Sequence, residues 1–261
     1  MWNAAQYLKF ADERSRPFVD LVSHVHCQDP QVIADLGCGT GSLTRMLHER
    51  WPEARVTGVD NSPEMLEHAF RLTIPGRLEF AQADIATWFS EAPLDLIVSN
   101  AALQWIHDHA AVLTRWSKML SPAGTLAVQM PNRFQTPSQT AIEEVTADSR
   151  WATKLHKVGL HRDSVKPLSW YVHLLHDLGF EVNAWETSYL HVLTGENPVL
   201  DWLKGTALRP LLERLHEEER TEFLSAVGSR LKTAYPARGG ITVFPMPRVF
   251  FVASRLEPED D

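Results

Sequence analysis

The sequence predicts an α/β fold in which a mostly parallel, doubly wound sheet carries helices on both faces. Three observations lead to this prediction. A short apolar run at 32–36 passes into a glycine turn and then into a helix. Further β-branched runs follow and alternate with helical patterns. Several of these runs end in an acidic or amide residue, which would bring polar side chains together at one edge of a parallel sheet.

The first strand and the turn after it predict a nucleotide-binding cradle. Apart from Asp35, residues 32–36 are apolar, as in a central strand covered on both faces, and residues 42–50 repeat apolar positions with a helical period. Between them, glycines at two-residue spacing would let the backbone turn tightly and a ligand approach closely: Gly37, Gly39 and Gly41.

Two details of this cradle favour an aminoacyl nucleoside over a dinucleotide. The dinucleotide pattern Gly-x-Gly-x-x-Gly would place its third glycine where this chain has Ser42. Asp35, two places before Gly37, would meet an ammonium group well and a diphosphate badly. A nicotinamide-dependent oxidoreductase is the alternative enzyme class, and a test of nicotinamide binding would separate the two.

The second predicted strand ends in Asp60, 19 positions after Gly41. A carboxylate at this place accepts hydrogen bonds from both hydroxyls of a ribose. The alternative role for Asp60 is a helix cap, because a helix is predicted to begin at Pro63. Ser62 can provide that cap, so we favour the ribose role for Asp60, with Asn61 beside it.

In these residues the chain resembles the class I S-adenosylmethionine-dependent methyltransferases. The first motif of that family matches residues 35–41. The resemblance implies a Rossmann-like, seven-stranded, mostly parallel sheet with a helical lid. It also implies S-adenosylmethionine as the cofactor and S-adenosylhomocysteine as the product, with no metal.

The same resemblance assigns roles to the next two strand ends. A third strand at 78–85 would offer Asp84 to the adenine amino group, and Ile85 would pack on the adenine ring. A fourth strand would lead into Asn100, beside the methionine end of the cofactor and facing the methyl acceptor. Asp84 by itself could equally be an ordinary cap, and its place in the series makes the adenine role the better interpretation.

The rest of the chain is divided by changes in composition and pattern. A polar segment follows the fifth strand, a mostly helical segment precedes the last strand, and Pro17 suits the first turn of an early helix. We expect residues 1–30 to form a helical lead-in, 31–131 the cofactor-binding half, 132–168 an insertion or lid, 169–195 a continuation of the sheet, 196–242 a second helical insertion or lid, 243–256 the last strand and 257–261 an acidic tail.

Composition and charge exclude several function classes. The formal net charge is −8, whereas a nucleic-acid or anionic-membrane binder would need a dense basic face. The chain has two cysteines, no apolar leader block and no apolar run long enough to span a bilayer. We therefore expect a monomer in the cytoplasm that acts on a small molecule.

The acceptor decides which side chains the reaction would need. A carboxylate is already ionised at neutral pH and needs no general base, only recognition by cations such as arginine. The two insertions and the last strand supply Arg133, Arg162, Arg209, Arg238 and Arg248. A phenol or amine would instead need a base, for which the candidates are His107, His156, His161 and His191.

A wider resemblance favours the carboxylate. Residues 7–17, 100–105, 126–131, 208–210 and 247–253 are similar to the trans-aconitate 2-methyltransferases, and the similarity includes both insertions, which generic methyltransferases do not share. It implies that a carboxylic acid such as trans-aconitate is converted to a monomethyl ester. Residues 132–168 match this family least well, which leaves the choice of acid open.

By that resemblance, the acceptor would be positioned by Gln104 and Trp105, and its carboxylates would be bound by Arg209 and Arg248, with Arg133 as a further candidate. The alternatives are that Arg209 is a solvated residue at a helix start and that Arg248 is a charge at a strand edge. In the lead-in, Tyr7 and Arg14 are candidates for contact with the acceptor or the methionine carboxylate, and the alternative is a solvated helix face.

Two other functions stay open at this point. One is a small-molecule O- or C-methyltransferase with a different acceptor, in which case a histidine substitution would abolish activity. The other is a non-catalytic regulatory domain that binds the cofactor without turnover.

Overall fold

The computed structural model describes residues 11–132, 136–155, 158 and 165–255, with the backbone alone for residues 11–14. Seven strands form one sheet with the order β3-β2-β1-β4-β5-β7-β6, in which β7 is antiparallel to both of its neighbours. The predicted α/β class I methyltransferase fold is therefore confirmed. The strands are β1 Val32–Leu36, β2 Arg55–Asp60, β3 Leu78–Gln82, β4 Leu94–Asn100, β5 Leu120–Pro131, β6 Phe180–Leu193 and β7 Thr242–Arg255.

Helices cover both faces of the sheet, as the alternating pattern predicts. Their bounds are α1 Ala11–Ser23, α2 Ser42–Arg50, α3 Pro63–Ala69, α4 His109–Met119, α5 Pro137–Thr146, α6 Ser149–Leu155, α7 Leu168–Asp177, α8 Pro198–Lys204, α9 Arg209–Leu212 and α10 Glu217–Ala234. One face of the sheet packs on α4 and α7, and the other packs on α1 and α2. In the described ranges every helix is too short or too polar to cross a membrane.

The turn chemistry expected at α3 is present. Ser62 is the N-cap residue and its hydroxyl accepts a hydrogen bond from the Met65 backbone N–H at 3.3 Å, while Pro63 occupies the first turn. The expectation for Pro17 is wrong, because this residue lies inside α1 and is buried there. The neighbouring Phe18 is also buried against the sheet, and this packing offsets the backbone hydrogen bond that proline cannot donate.

One strand end differs from the sequence-based bounds. β3 ends at Gln82, so Asp84 lies beyond the strand rather than in it. β6 and β7 pair along their whole length, from Phe180 with Arg255 to Leu193 with Thr242. The two strands form a ribbon, and the segment 194–241 joins its far ends.

The helices between β5 and β6 that cover 137–155 share one hydrophobic core with the helices at 198–234. Helices α5, α6, α8, α9 and α10 bury their apolar side chains together with Leu193 and Phe244 from the ribbon. Within this core, the rings of Trp151 and Phe223 meet edge to face, 5.5 Å apart. We refer to these five helices as the helical layer.

Candidate cofactor and acceptor site

The glycine turn connects β1 tightly to the loop after β4. Gly37 has a φ of +91°, and a Cβ added to it would lie 2.1 Å from the Cβ of Ala102. The backbone N–H groups of Gly37 and Cys38 both donate to the carbonyl of Val59, at 2.8 and 3.0 Å. Because the Ala102 side chain fills this space and the φ of Gly37 is positive, glycine is strongly favoured at position 37.

The open side of the turn faces Asp60. A Cβ added to Gly39 would meet no atom within 4 Å, so this part of the turn is accessible to a ligand. The Asp60 carboxylate accepts hydrogen bonds from the N–H groups of Gly39, at 2.8 Å, and Ser62, at 2.9 Å. Each carboxylate oxygen keeps capacity for a further donor, such as a ribose hydroxyl. Since Ser62 caps α3, Asp60 does not serve as that cap; Asn61, beside it, is exposed.

Asp35 lies beneath the same turn and is 2% exposed. The hydroxyl of Thr44 donates to its Oδ2 at 2.6 Å. Burial raises the pKa of Asp35 to about 7; the Thr44 hydrogen bond opposes this rise and the negative charge of Asp60 adds to it. A bound cation near this carboxyl group would lower the pKa again.

Asp84 and Ile85 lie just after β3. Asp84 is exposed, and its Oδ1 accepts a hydrogen bond from the Ala86 backbone N–H at 2.9 Å. Ile85 is partly buried, and its carbonyl accepts a hydrogen bond from the indole of the buried Trp116 at 3.0 Å. The indole therefore fixes the backbone that carries both candidate adenine contacts.

Unpaired amide groups mark the carboxyl end of β4. The Oδ1 atom of Asn100 and the Oε1 atom of Gln104 are buried and have no hydrogen-bond partner among the described residues. Gln104 Nε2 donates to the carbonyl of Ala101 at 2.7 Å, and Ala101 has a positive φ of 54°. Non-glycine residues rarely adopt such a φ, and strained residues of this kind cluster at active sites and ligand-binding turns. The next residue in this turn, Trp105, is 52% exposed.

His109 links this turn to Tyr171 of α7 through hydrogen bonds. Its Nε2 lies 2.8 Å from the Leu103 carbonyl and its Nδ1 lies 2.7 Å from the Tyr171 hydroxyl, so a neutral ring can donate to the first and accept from the second. Tyr171 in turn accepts from the Lys166 N–H at 3.0 Å. Burial lowers the pKa of His109, which favours the neutral ring. The sequence offered no local signal for this role.

Arg248 is 8% exposed and lies on β7, where it pairs with Pro131 of β5 and Thr187 of β6. Nearby, the Tyr189 hydroxyl donates a hydrogen bond to Asp20 of α1. Burial raises the pKa of Tyr189, the Asp20 carboxylate raises it further, and the positive charge of Arg248 opposes both. The lead-in helix is thus attached to the ribbon next to a buried cation.

Arg209 lies at the start of α9 in the helical layer. Its Nε forms an ion pair with Glu213 Oε1 at 3.1 Å, and its side chain is 23% exposed. Its positive charge also reaches Glu64 in the first turn of α3, whose pKa is lowered first by its own backbone N–H and by the Ser62 hydroxyl, and then by Arg209. Arg209 is therefore close enough to the start of α3 to act on Glu64 electrostatically.

Comparison with known proteins agrees with this geometry. The family model described as "Methyltransferase domain" matches residues 33–124. A trans-aconitate 2-methyltransferase of Streptomyces avermitilis is 48% identical over 260 residues, which cover 97% of each chain. A second relative with that name, from Streptomyces coelicolor, is 44% identical over 98% of this chain and 87% of its own length. This chain belongs to the trans-aconitate 2-methyltransferase family.

Solved structures show that this chain shares its fold with proteins that are distant in sequence, one of them a methyltransferase. The YcgJ protein of Bacillus subtilis matches with a TM-score of 0.61 at 12% identity and covers 93% of this chain and 99% of its own. A Haemonchus contortus phosphoethanolamine N-methyltransferase, solved with S-adenosylhomocysteine, matches with a TM-score of 0.56 at 17% identity and covers 92% of this chain and 52% of its own. At such identities the likeness concerns the fold alone.

Within this family fold, the predicted cofactor residues converge at the carboxyl ends of β1 to β4. The open turn at Gly39, the carboxylates of Asp60 and Asp84, and the buried amide oxygens that lack a partner in the described ranges fit a nucleoside that carries hydroxyl and amino donors. Arg248 and Arg209 lie on the sheet and in the helical layer, respectively. Tyr7 and Arg133 lie outside the described residues, as does the side chain of Arg14.

The histidines considered as bases have other environments. His107 is exposed, whereas His191 is 4% exposed and packs on Trp202 in the helical layer, with ring centroids 4.7 Å apart. His156 and His161 lie outside the described residues, as does Arg162, and Arg238 is exposed in the turn before β7. A residue that sequence reasoning did not single out, Gln129, is fully buried at the carboxyl end of β5.

Proposed function

We propose that the protein transfers a methyl group from S-adenosylmethionine to one carboxylate of trans-aconitate, giving a monomethyl ester and S-adenosylhomocysteine. The observation that carries this proposal is that the identity to the Streptomyces avermitilis relative extends over 97% of both chains. It therefore includes the helical layer, whereas the match to the methyltransferase domain ends at residue 124. The domain match supports the reaction class, and the full-length match supports the acceptor.

The strand ends have the chemistry to hold this cofactor. Asp60 would accept hydrogen bonds from both ribose hydroxyls while its two backbone donors keep the carboxylate in place. Asp84 would accept from the adenine amino group, and Ile85 would pack against the ring. Asp35 would provide negative charge for the ammonium group, and Asn100 would lie along the methionine end.

The acceptor side of the site needs recognition rather than a base. When bound, the cofactor supplies a methyl group on a positively charged sulfur, and its transfer leaves a neutral thioether. A carboxylate is ionised at neutral pH, so no residue has to remove a proton from it. The environment of His109 is consistent with a reaction that uses no base. Both of its ring nitrogens lie within hydrogen-bond distance of other groups, and its pKa is lowered.

The remaining task of the chain is to orient the acid and exclude water. We assign binding of its carboxylates to Arg248 and Arg209, and placement of the reacting carboxylate to Gln104 and Trp105. Guanidinium groups bind carboxylates through paired N–H donors, which fixes orientation as well as charge. The helical layer would close over the acid as a lid.

Turnover tests the proposal directly. S-adenosylhomocysteine formation is measured with trans-aconitate, cis-aconitate, isocitrate and citrate in parallel, and the ester is identified by mass. We expect turnover selective for trans-aconitate. Cofactor binding without reaction of any acid would refute the substrate, and absence of cofactor binding would refute the reaction class.

A matched pair of variants tests the cofactor site. Asp60→Asn should weaken S-adenosylhomocysteine binding by roughly tenfold or more, because a charge-assisted acceptor for the ribose is lost. Asp95→Asn is the control, because Asp95 also accepts from two backbone N–H groups, those of Gln31 at 2.8 Å and Val32 at 3.1 Å, but at the opposite end of the sheet. Equal losses of affinity in the two variants would contradict the ribose role.

A further inference from the structure

Gln129 is a buried amide that has no hydrogen-bond partner among the residues the structure describes. The residue is 0% exposed in the middle of the sheet, where its backbone pairs with Asn100 of β4 and Phe250 of β7. Both side-chain atoms, Nε2 and Oε1, lack a hydrogen-bond partner among the described residues. A buried amide without partners is costly, and an apolar side chain of similar volume would avoid that cost.

The strand register shows which face of the sheet carries Gln129. Along β5, Leu126 and Val128 pack into the core under α4 and α7, whereas Ala127 packs into the core under α1. Since side chains alternate along a strand, Gln129 shares the α1 face with Ala127. In β7 the same alternation puts Phe250 on the α1 face, and Arg248 with it.

Gln129 and Arg248 are therefore close neighbours on one face. Arg248 pairs with Pro131, two residues beyond Gln129, so the two are diagonal neighbours across β5 and β7, with backbones roughly 7–8 Å apart. Both are at least nine-tenths buried. On the other side of β5, Asn100 of β4 is in register with Gln129. Its buried Oδ1 atom also has no hydrogen-bond partner in the described ranges.

This arrangement combines a buried cation with a buried amide donor at the acceptor end of the site. A carboxylate can bind to both groups, because it is negative and accepts N–H hydrogen bonds from a guanidinium and an amide at once. We propose that Gln129 binds a carboxylate of the acceptor together with Arg248 and so helps to select which carboxylate is methylated. This inference rests on the proposed function and adds to it a specificity residue that the sequence comparison did not assign.

The test separates acid binding from cofactor binding. Gln129→Met keeps the side-chain volume and removes the amide. The control is Thr125→Val, which alters a buried polar residue, 3% exposed, in the middle of the same strand, where the threonine hydroxyl lies 3.3 Å from that of Ser254. Trans-aconitate binding to the protein loaded with S-adenosylhomocysteine is measured by calorimetry, alongside cofactor affinity, the urea midpoint of unfolding and the ratio of monoester isomers formed.

In Gln129→Met we expect trans-aconitate affinity to fall about tenfold or more, with cofactor affinity unchanged within about twofold. We also expect the unfolding midpoint to be equal or higher, and the ratio of monoester isomers to change. Thr125→Val should leave acid affinity and isomer ratio as they are in the wild type.

Unchanged acid affinity and isomer ratio in Gln129→Met would overturn the inference. A loss of cofactor affinity alone would also overturn it and would assign Gln129 to the cofactor. A loss of both affinities together with a lower unfolding midpoint would show that the role of Gln129 is structural. If the wild-type protein binds trans-aconitate but does not methylate it, the proposed function fails while the binding comparison still decides the role of Gln129.

Discussion

The substitution Asp35→Asn should stabilise the cofactor-free protein, and the gain should depend on pH. The carboxyl group of Asp35 is 2% exposed, and burial raises its pKa from 3.8 to about 7. Asparagine has nearly the same shape, and its oxygen can accept the Thr44 hydrogen bond of 2.6 Å. The substitution therefore retains the local contact and removes the cost of a buried negative charge.

The sign and size follow from the pKa difference between the folded and unfolded protein. Because the folded pKa is the higher one, the wild-type protein loses stability as pH rises from 3.8 to about 7, and the loss is constant above that. The full difference corresponds to ~4 kcal/mol, and relaxation of the site reduces it. We expect Asp35→Asn to be more stable than wild type by ~2–4 kcal/mol at pH 8 and by about 1 kcal/mol or less at pH 4.5.

Urea unfolding of the cofactor-free protein at pH 4.5, 6 and 8, followed by tryptophan fluorescence, measures this difference. Thr44→Val is the control: it removes the hydrogen bond that opposes the rise of the Asp35 pKa, so it should destabilise the protein more at pH 8 than at pH 4.5. A gain in Asp35→Asn that does not change with pH, or a loss of stability at pH 8, would refute the reasoning. Asp35→Asn should also bind the cofactor more weakly, since it lacks the negative charge proposed to attract the ammonium group.

Three further predictions concern the site and its surroundings. Arg209→Ala should raise the KM for trans-aconitate by about tenfold or more and leave cofactor affinity unchanged, and equal changes in both would contradict the proposed division of roles. Gly37→Ala should lower the free energy of unfolding by ~2–4 kcal/mol, because the new Cβ would lie 2.1 Å from the Ala102 side chain. Gly76→Ala is the control, because Gly76 has a φ of +75° but open space around it, and it should lower that free energy by only ~1–2 kcal/mol; similar losses in urea unfolding would argue against a steric cause. Burial lowers the pKa of His109 from 6.5 in the folded protein, so the contribution of this residue to stability is present above pH 6.5 and is lost as pH falls further. His109→Gln should reduce this loss of stability in acid, and an unchanged pH profile of stability would contradict the prediction.

Short-range patterns in the sequence determined the sheet and its turns, and they predict most of the candidate cofactor residues. Strand β1, the glycine turn and helix α2 are predictable because apolar period, glycine spacing and capping act over a few residues. The carboxyl ends of parallel strands meet at one edge, so the order of Asp60, Asp84 and Asn100 along the chain was enough to predict that they converge. The same local rules failed for Pro17, where burial against the sheet overrides the preference of proline for a first turn.

Only the tertiary structure showed that Gln129, Arg248 and Asn100 share one face of the sheet. Gln129, Arg248 and Asn100 come from strands that are distant in sequence, and they share a face because of the register of β5 with β4 and β7. The link between His109 and Tyr171, 62 residues apart, depends in the same way on how α4 packs beside α7. Register and packing follow from burying whole strands and helices at once, so no local pattern carries them, whereas turn and strand preferences are set by neighbouring residues alone.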